Sequence, residues 1–277
     1  MTIIMLMLFF FYLSLVLFWK KIETWVIFPG VWKKSGVNFA KYWIEEFYLG
    51  GAHWFQIHWI FLDTWSQKTI YFFHWNDGPL GDYIHYINYL WSLWYNVMSY
   101  DYPGYGESTW CPKEELIWSY TKTFYQYIRR KKNILSKDII AFWHSLGTVF
   151  AMDFSYKYNA NKLVLISPLT SKYDMGKFKY KFPVHRFLFL ENGFDNLSKS
   201  KHISIPTLVI HWKRDAVIPF KHGSIIFSCL KSRKKFFITI NNFWHTGIIK
   251  NFSDELKPLF INFFETGMVK DLFIELN

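Results

Sequence analysis

Short, nearly unbroken apolar runs, most ending in polar residues, recur along this chain: KTIYFFHWND at 68–77, NVMSYDYPG at 96–104, DIIAFWHSLG at 138–147, KLVLISPL at 162–169, PTLVIHWKRD at 206–215 and KKFFITINN at 234–242. Stretches of helical spacing separate them, around Asp82 to Leu93, Glu114 to Arg130, Leu146 to Tyr158, Phe220 to Leu230 and Ser253 to Thr266. A strand that is apolar on both faces has to be covered on both. Strands of that kind alternating with helices predict an α/β architecture, a mostly parallel twisted sheet with helices on both faces. Upstream, EEFYLGGAHWFQIHWIFLDT (45–64) reads as a further strand pair turning near Gly50 and Gly51. A chain of 277 residues suits one large domain, placed here at 22–277.

Two segments fall outside that rhythm. Residues 2–19, TIIMLMLFFFYLSLVLFW, carry no charge and are followed by Lys20 and Lys21. About 17–25 apolar residues cross a bilayer as a helix, and the basic n-region and small-residue cleavage site of a signal peptide are missing. The expectation is therefore a single-pass transmembrane anchor over residues 1–21, preferred to a signal peptide or an amphipathic docking helix. Basic residues after the span favour the cytoplasmic face for the domain. The second segment, residues 171–202, is aromatic, basic and without a clear period. An insertion there lies over the strand ends, as a short lid or as a simple loop.

The chemistry centres on IIAFWHSLGTVF (139–150), where an apolar strand delivers Ser145 onto a turn before a helix. Asp215 follows the strand in HWKRDAVIP, and His245 follows the last strand in NNFWHTGI. The order Ser, Asp, His fits a nucleophile, an orienting acid and a general base. In that assignment Ser145 attacks a carbonyl, His245 relays its proton and Asp215 holds the imidazole. Oxyanion donors are expected from the backbone of Leu146 and from Asn76, while His74 and His144 read as turn-packing residues rather than bases.

With these residues in view, the chain from about 44 to 266 resembles the α/β-hydrolase superfamily, and more narrowly the Bem46-type membrane-anchored serine hydrolases. YFFHWNDGPLGDY (71–83) is similar to the family's His-Gly-Asn oxyanion segment, and SYDYPGYGES (99–108) to its Asp-Tyr-Arg-Gly-Tyr-Gly-x-Ser turn. The resemblance implies hydrolysis of carboxylic esters or thioesters through an acyl-enzyme, with no metal or organic cofactor. Small-molecule or lipid-like esters are the expected substrates, and the membrane is a partner through the N-terminal helix. A serine peptidase of the same fold is the alternative chemistry.

Composition matters at three points. Thirty-two Lys and Arg against 21 Asp and Glu give a formal charge of +11, but the basic clusters (129–132, 199–201, 231–235) carry no nucleic-acid recognition motif and read as solvated surface. Two cysteines, Cys111 and Cys229, read as free thiols. Tryptophan, at fifteen residues, is the anomaly, because plentiful Phe, Ile, Lys and Asn indicate A+T-rich codons. Trp75, Trp143, Trp212 and Trp244 stand where the family has glycine beside the oxyanion residue, the serine, the acid and the histidine. Trp59, Trp94 and Trp110 also fall at turns or strand edges. The pattern suggests UGA codons that the source organism reads as glycine; the alternative is a decayed, non-catalytic, membrane-tethered binding protein in which the indoles are real.

Overall fold

The structure, a computed structural model, describes residues 2–52, 55–180, 193–241, 245–270 and 273–276. Its strands are β1 (Glu45–Ala52), β2 (Phe55–Leu62), β3 (Thr69–Phe73), β4 (Asn96–Tyr100), β5 (Ile139–His144), β6 (Lys162–Ile166), β7 (Thr207–Trp212), β8 (Lys235–Ile240) and β9 (Phe273–Leu276). The helices are α1 (Thr2–Ile27), α2 (Ile84–Trp91), α3 (Glu114–Lys132), α4 (Thr148–Tyr158), α5 (Lys172–Tyr180), α6 (Asn196–Ser200), α7 (Phe220–Cys229) and α8 (Ile248–Thr266).

The strands form one nine-stranded sheet in the order β1-β2-β4-β3-β5-β6-β7-β8-β9. The first two ladders are antiparallel and all the others parallel. Every residue of β3 through β7 is buried, as strands covered on both faces require. Alternation sorts the aromatic residues between the two layers. Tyr71 and Phe73 stack on each other and meet Phe154 of α4, while Phe142 meets Phe260 and Phe264 of α8 on the other face. Phe237 packs between Phe220 and Phe227 of α7.

Helix α3 shows why such segments become helical. Its buried Ile117, Tyr120, Thr121, Phe124, Tyr125 and Ile128 recur at spacings of three and four. Glu114 and Glu115 open it and Arg129 to Lys132 close it, which complements the helix dipole.

Three expectations need correction. The turn of the first strand pair does not lie at Gly50 and Gly51, which sit within β1; the connection falls at 53–54, outside the described residues. Strand β9 adds an edge that four residues of pattern do not announce. The transmembrane anchor over 1–21 is also not reproduced: among the described residues no helix is long and apolar enough to cross a membrane. Side chains at 1–3, 16 and 19–22 lie outside the described set. Helix α1 continues past the expected boundary to Ile27, and its last turn belongs to the domain. Glu23 pairs with Lys172 at 2.8 Å, and Phe28 packs edge-on against Tyr105 and Phe194.

The insertion at 171–202 contains α5 and α6, with 181–192 outside the described residues. Its described ends are pinned to the body, since the Phe194 N–H donates to Glu114 at 2.9 Å and Lys199 pairs with Asp153 at 2.8 Å. Cys111 and Cys229 are both free.

Candidate active site

Strands β5, β7 and β8 run parallel, so their C-terminal ends open on one edge of the sheet, where ligands of such sheets bind. Ser145 directly follows β5, Asp215 lies three residues past β7 and His245 five past β8. Residues a hundred positions apart thereby meet. Ser145 Oγ donates to His245 Nε2 at 2.9 Å, and His245 Nδ1 donates to Asp215 at 2.8 Å. All three side chains are buried, at 6 %, 8 % and 8 % residue exposure for Ser145, Asp215 and His245, which strengthens their mutual electrostatics.

Ser145 has φ +59°, a left-handed backbone that residues with a Cβ resist and that a strand-to-helix elbow imposes. The turn continues as a single 3-10 turn, Ser145–Gly147, into α4, and Thr148 Oγ1 closes it on the Ser145 carbonyl at 2.7 Å. The N–H of Leu146 follows the serine at that helix entry, the position from which a backbone donor serves an oxyanion.

Burial alone would raise the Asp215 carboxyl. Hydrogen bonds from His245, Ser167 and the Ile218 N–H overcome it and hold the group at about 2. Ser167, just past β6, donates to it at 2.7 Å, and the N–H groups of Val217 and Ile218 donate at 2.9 and 2.8 Å. Asp215 is thus an ionised, fully oriented acid. Ser167 was not singled out from the sequence; its signal is its place one residue beyond a strand that lies between β5 and β7.

His74 donates through Nδ1 to the Trp75 carbonyl at 2.8 Å and accepts at Nε2 from the Tyr102 N–H at 3.1 Å. Burial lowers it to about 4, so it acts as a neutral brace between two loops. His144 is driven well below its ordinary value by burial and by the neighbouring His245 imidazole. Neither is poised as a base.

Asn76, the second expected oxyanion donor, also ties the loop after β3 to α1. Its side-chain amide donates to the carbonyl of Ile27 at the end of α1, and its own carbonyl accepts from the Gly30 N–H at 2.9 Å and Tyr105 Oη at 2.8 Å. The side chain thus helps hold α1 to the loop after β3.

A buried cluster behind that loop also escaped the sequence. His58 of β2 donates to Asp101 at 2.6 Å and to Glu46 at 3.0 Å, and Asp101 accepts the Leu80 N–H at 2.8 Å. Burial pulls the His58 imidazole down, but the two carboxylates outweigh it and its pKa is raised. The site is hemmed by indoles: the His144 ring lies 4.6 Å from Trp75 and 5.4 Å from Trp212, and the Trp143 ring stacks on Phe72 at 5.6 Å. Trp244 lies outside the described residues. Among the described residues, no group of three or more His, Cys, Asp or Glu side chains converges to hold a metal ion.

No model of a known protein family matches the chain. Among curated proteins, it is 32 % identical over 163 residues to human alpha/beta hydrolase domain-containing protein 17B, covering 58 % of this chain and 55 % of that protein. It is 32 % identical over 159 residues to mouse alpha/beta hydrolase domain-containing protein 17C, covering 57 % and 48 %. The chain thus spans about half the length of the curated relatives it matches. Among solved structures, the Pyrococcus furiosus esterase Pf2001 superposes with a TM-score of 0.70 at 17 % identity, covering 84 % of this chain and 97 % of that one. A Paleococcus ferrophilus monoacylglycerol lipase does so at 0.54 and 14 % identity, covering 72 % and 94 %. Sheet order and these likenesses give the chain the α/β-hydrolase fold.

Proposed function

We propose that the protein is a serine hydrolase that cleaves carboxylic esters or thioesters through an acyl-enzyme. The observation that carries this reading is the unbroken hydrogen-bond chain from Ser145 through His245 to Asp215 at the C-terminal edge of the sheet. Ser145 Oγ attacks the ester carbonyl as its proton passes to His245 Nε2, and Asp215 stabilises the imidazolium that forms. The Leu146 N–H and a backbone N–H of the loop around Asn76 take the oxyanion. Collapse expels the alcohol or thiol, protonated by His245, and leaves the acyl group on Ser145. Water, deprotonated by His245, attacks that acyl group, and the acid leaves as Ser145 regains its proton.

Lipid-like or acylated substrates are favoured by α1, which exposes large apolar side chains such as Phe9, Phe10 and Phe18 and whose end is tied to the loop bearing Asn76. Attachment of the protein to a membrane through α1 belongs to the same proposal, as does kinship with the Bem46-type hydrolases. A second reading, a binding protein without turnover, is favoured by the indoles of Trp75, Trp143 and Trp212 packed around the site.

A fluorophosphonate probe and a panel of p-nitrophenyl esters separate the two. Labelling and ester turnover that vanish in Ser145→Ala support the hydrolase. No labelling of the protein isolated from its source supports the binding protein.

A further inference from the structure

Tryptophan supplies fifteen of the 277 residues, yet five of the ten non-glycine residues with positive φ among those described. Trp32, Trp43, Trp65, Trp94 and Trp110 have φ between 60° and 76°. That region is where glycine is at home, and a bulky side chain there is an outlier. Their local settings are those of glycine. Trp43 is the left-handed C-cap of a 3-10 turn, its N–H bonded to the Ala40 carbonyl, and Trp94 closes the end of α2 through its N–H to the Trp91 carbonyl at 2.9 Å. Trp43, Trp65 and Trp94 are 85 %, 92 % and 79 % exposed, unlike a residue that is usually buried.

Three more indoles fail in the opposite way. Trp59, Trp143 and Trp212 are fully buried, and the indole nitrogen of each lacks a hydrogen-bond partner. Buried tryptophan ordinarily satisfies that N–H. Trp143 also occupies the elbow: a Cβ placed on Gly147 would fall 1.8 Å from its ring, so the indole fills the gap through which strand and helix backbones would close on each other.

Two tryptophans behave normally and calibrate the rest. Trp91, in α2, donates through its indole N–H to the Asp63 carbonyl at 3.4 Å. Trp118, in α3, stacks on Tyr158 at 5.9 Å and carries Lys157 over its ring at 3.6 Å. Neither has a positive φ.

We propose that the tryptophans are of two kinds: in the chain as its source organism makes it, positions 32, 43, 59, 65, 94, 110, 143 and 212 carry glycine, whereas Trp91 and Trp118 are genuine. Trp75 and Trp244 join the first kind through the catalytic motifs alone. The backbone evidence at the five turn positions stands apart from the hydrolase reading; the restored Gly-His-Ser-Leu-Gly elbow around Ser145 deepens it.

Peptide mass spectrometry of the protein isolated from its source is the test. Glycine masses at 32, 43, 65, 94, 110 and 143, with tryptophan at 91 and 118 and UGA against UGG in the gene, are expected. Tryptophan at the turn positions overturns the proposal. Recombinant chains give a second readout: replacing the five turn tryptophans with glycine raises the unfolding midpoint by about 10 °C, and Trp91→Gly with Trp118→Gly lowers it. A fall in the five-fold variant contradicts the proposal whether or not either chain labels with fluorophosphonate, so its failure and that of the hydrolase reading remain distinct.

Discussion

The three side chains of the candidate triad are legible one at a time, because each closes a strand-like run with a residue type that has few structural uses there. What holds them is less legible. Ser167 and the Val217 and Ile218 N–H groups clamp Asp215 from positions that carry no motif. Ser145→Ala is expected to abolish turnover. Asp215→Asn is expected to lower kcat by about 10⁴ through loss of the imidazole's orientation, with the fold intact by circular dichroism. The Asp215 carboxyl, held at about 2 against an ordinary 3.8, binds its proton less readily folded than unfolded. Its contribution of about 2 kcal/mol is therefore present above about pH 4 and lost as pH falls through about 2. Thermal melts from pH 5 to 2 check this: the wild type loses more stability over that window than Asp215→Asn, whereas parallel losses contradict it.

Elements reveal what residues alone conceal. The apolar opening of the chain reads as a separate anchor. The docking of its last turn on the loop after β3 spans 49 positions, from Asn76 to Ile27, and leaves no periodic trace. Asn76→Ala is expected to cost about 1 kcal/mol and to speed amide exchange in the last turn of α1, while ester turnover persists because the oxyanion donors proposed above are backbone N–H groups. Partition of the full chain into membranes, lost on removal of residues 2–18, tests the attachment proposed for that helix. The His58 cluster joins β1, β2 and the turn after β4 through a contact 43 positions long. Because the His58 pKa is raised in the fold, its stabilising contribution is complete below about pH 6.5 and declines as pH rises through the folded value. His58→Gln leaves Asp101 with an uncompensated charge and is expected to cost about 3 kcal/mol, read as a lowered midpoint of denaturant unfolding. An unchanged midpoint would show that the cluster does not stabilise the fold.

At the scale of the molecule, the alternation of apolar runs and helices is enough to predict a parallel sheet covered on both faces. It does not fix the strand order, which places β3 between β4 and β5, nor the extra edge strand β9. The order matters because it makes β5 central and sets β6 between the strands that lead to Ser145 and Asp215, so that loops from β5, β7 and β8 converge over one edge. The reactivity proposed for the Ser145 hydroxyl rests on this convergence. It is tested most directly by treating the protein isolated from its source with a fluorophosphonate and locating the adduct by peptide mass. A single adduct on Ser145, absent after His245→Ala, is the predicted result; an adduct on another residue, or none, would contradict it.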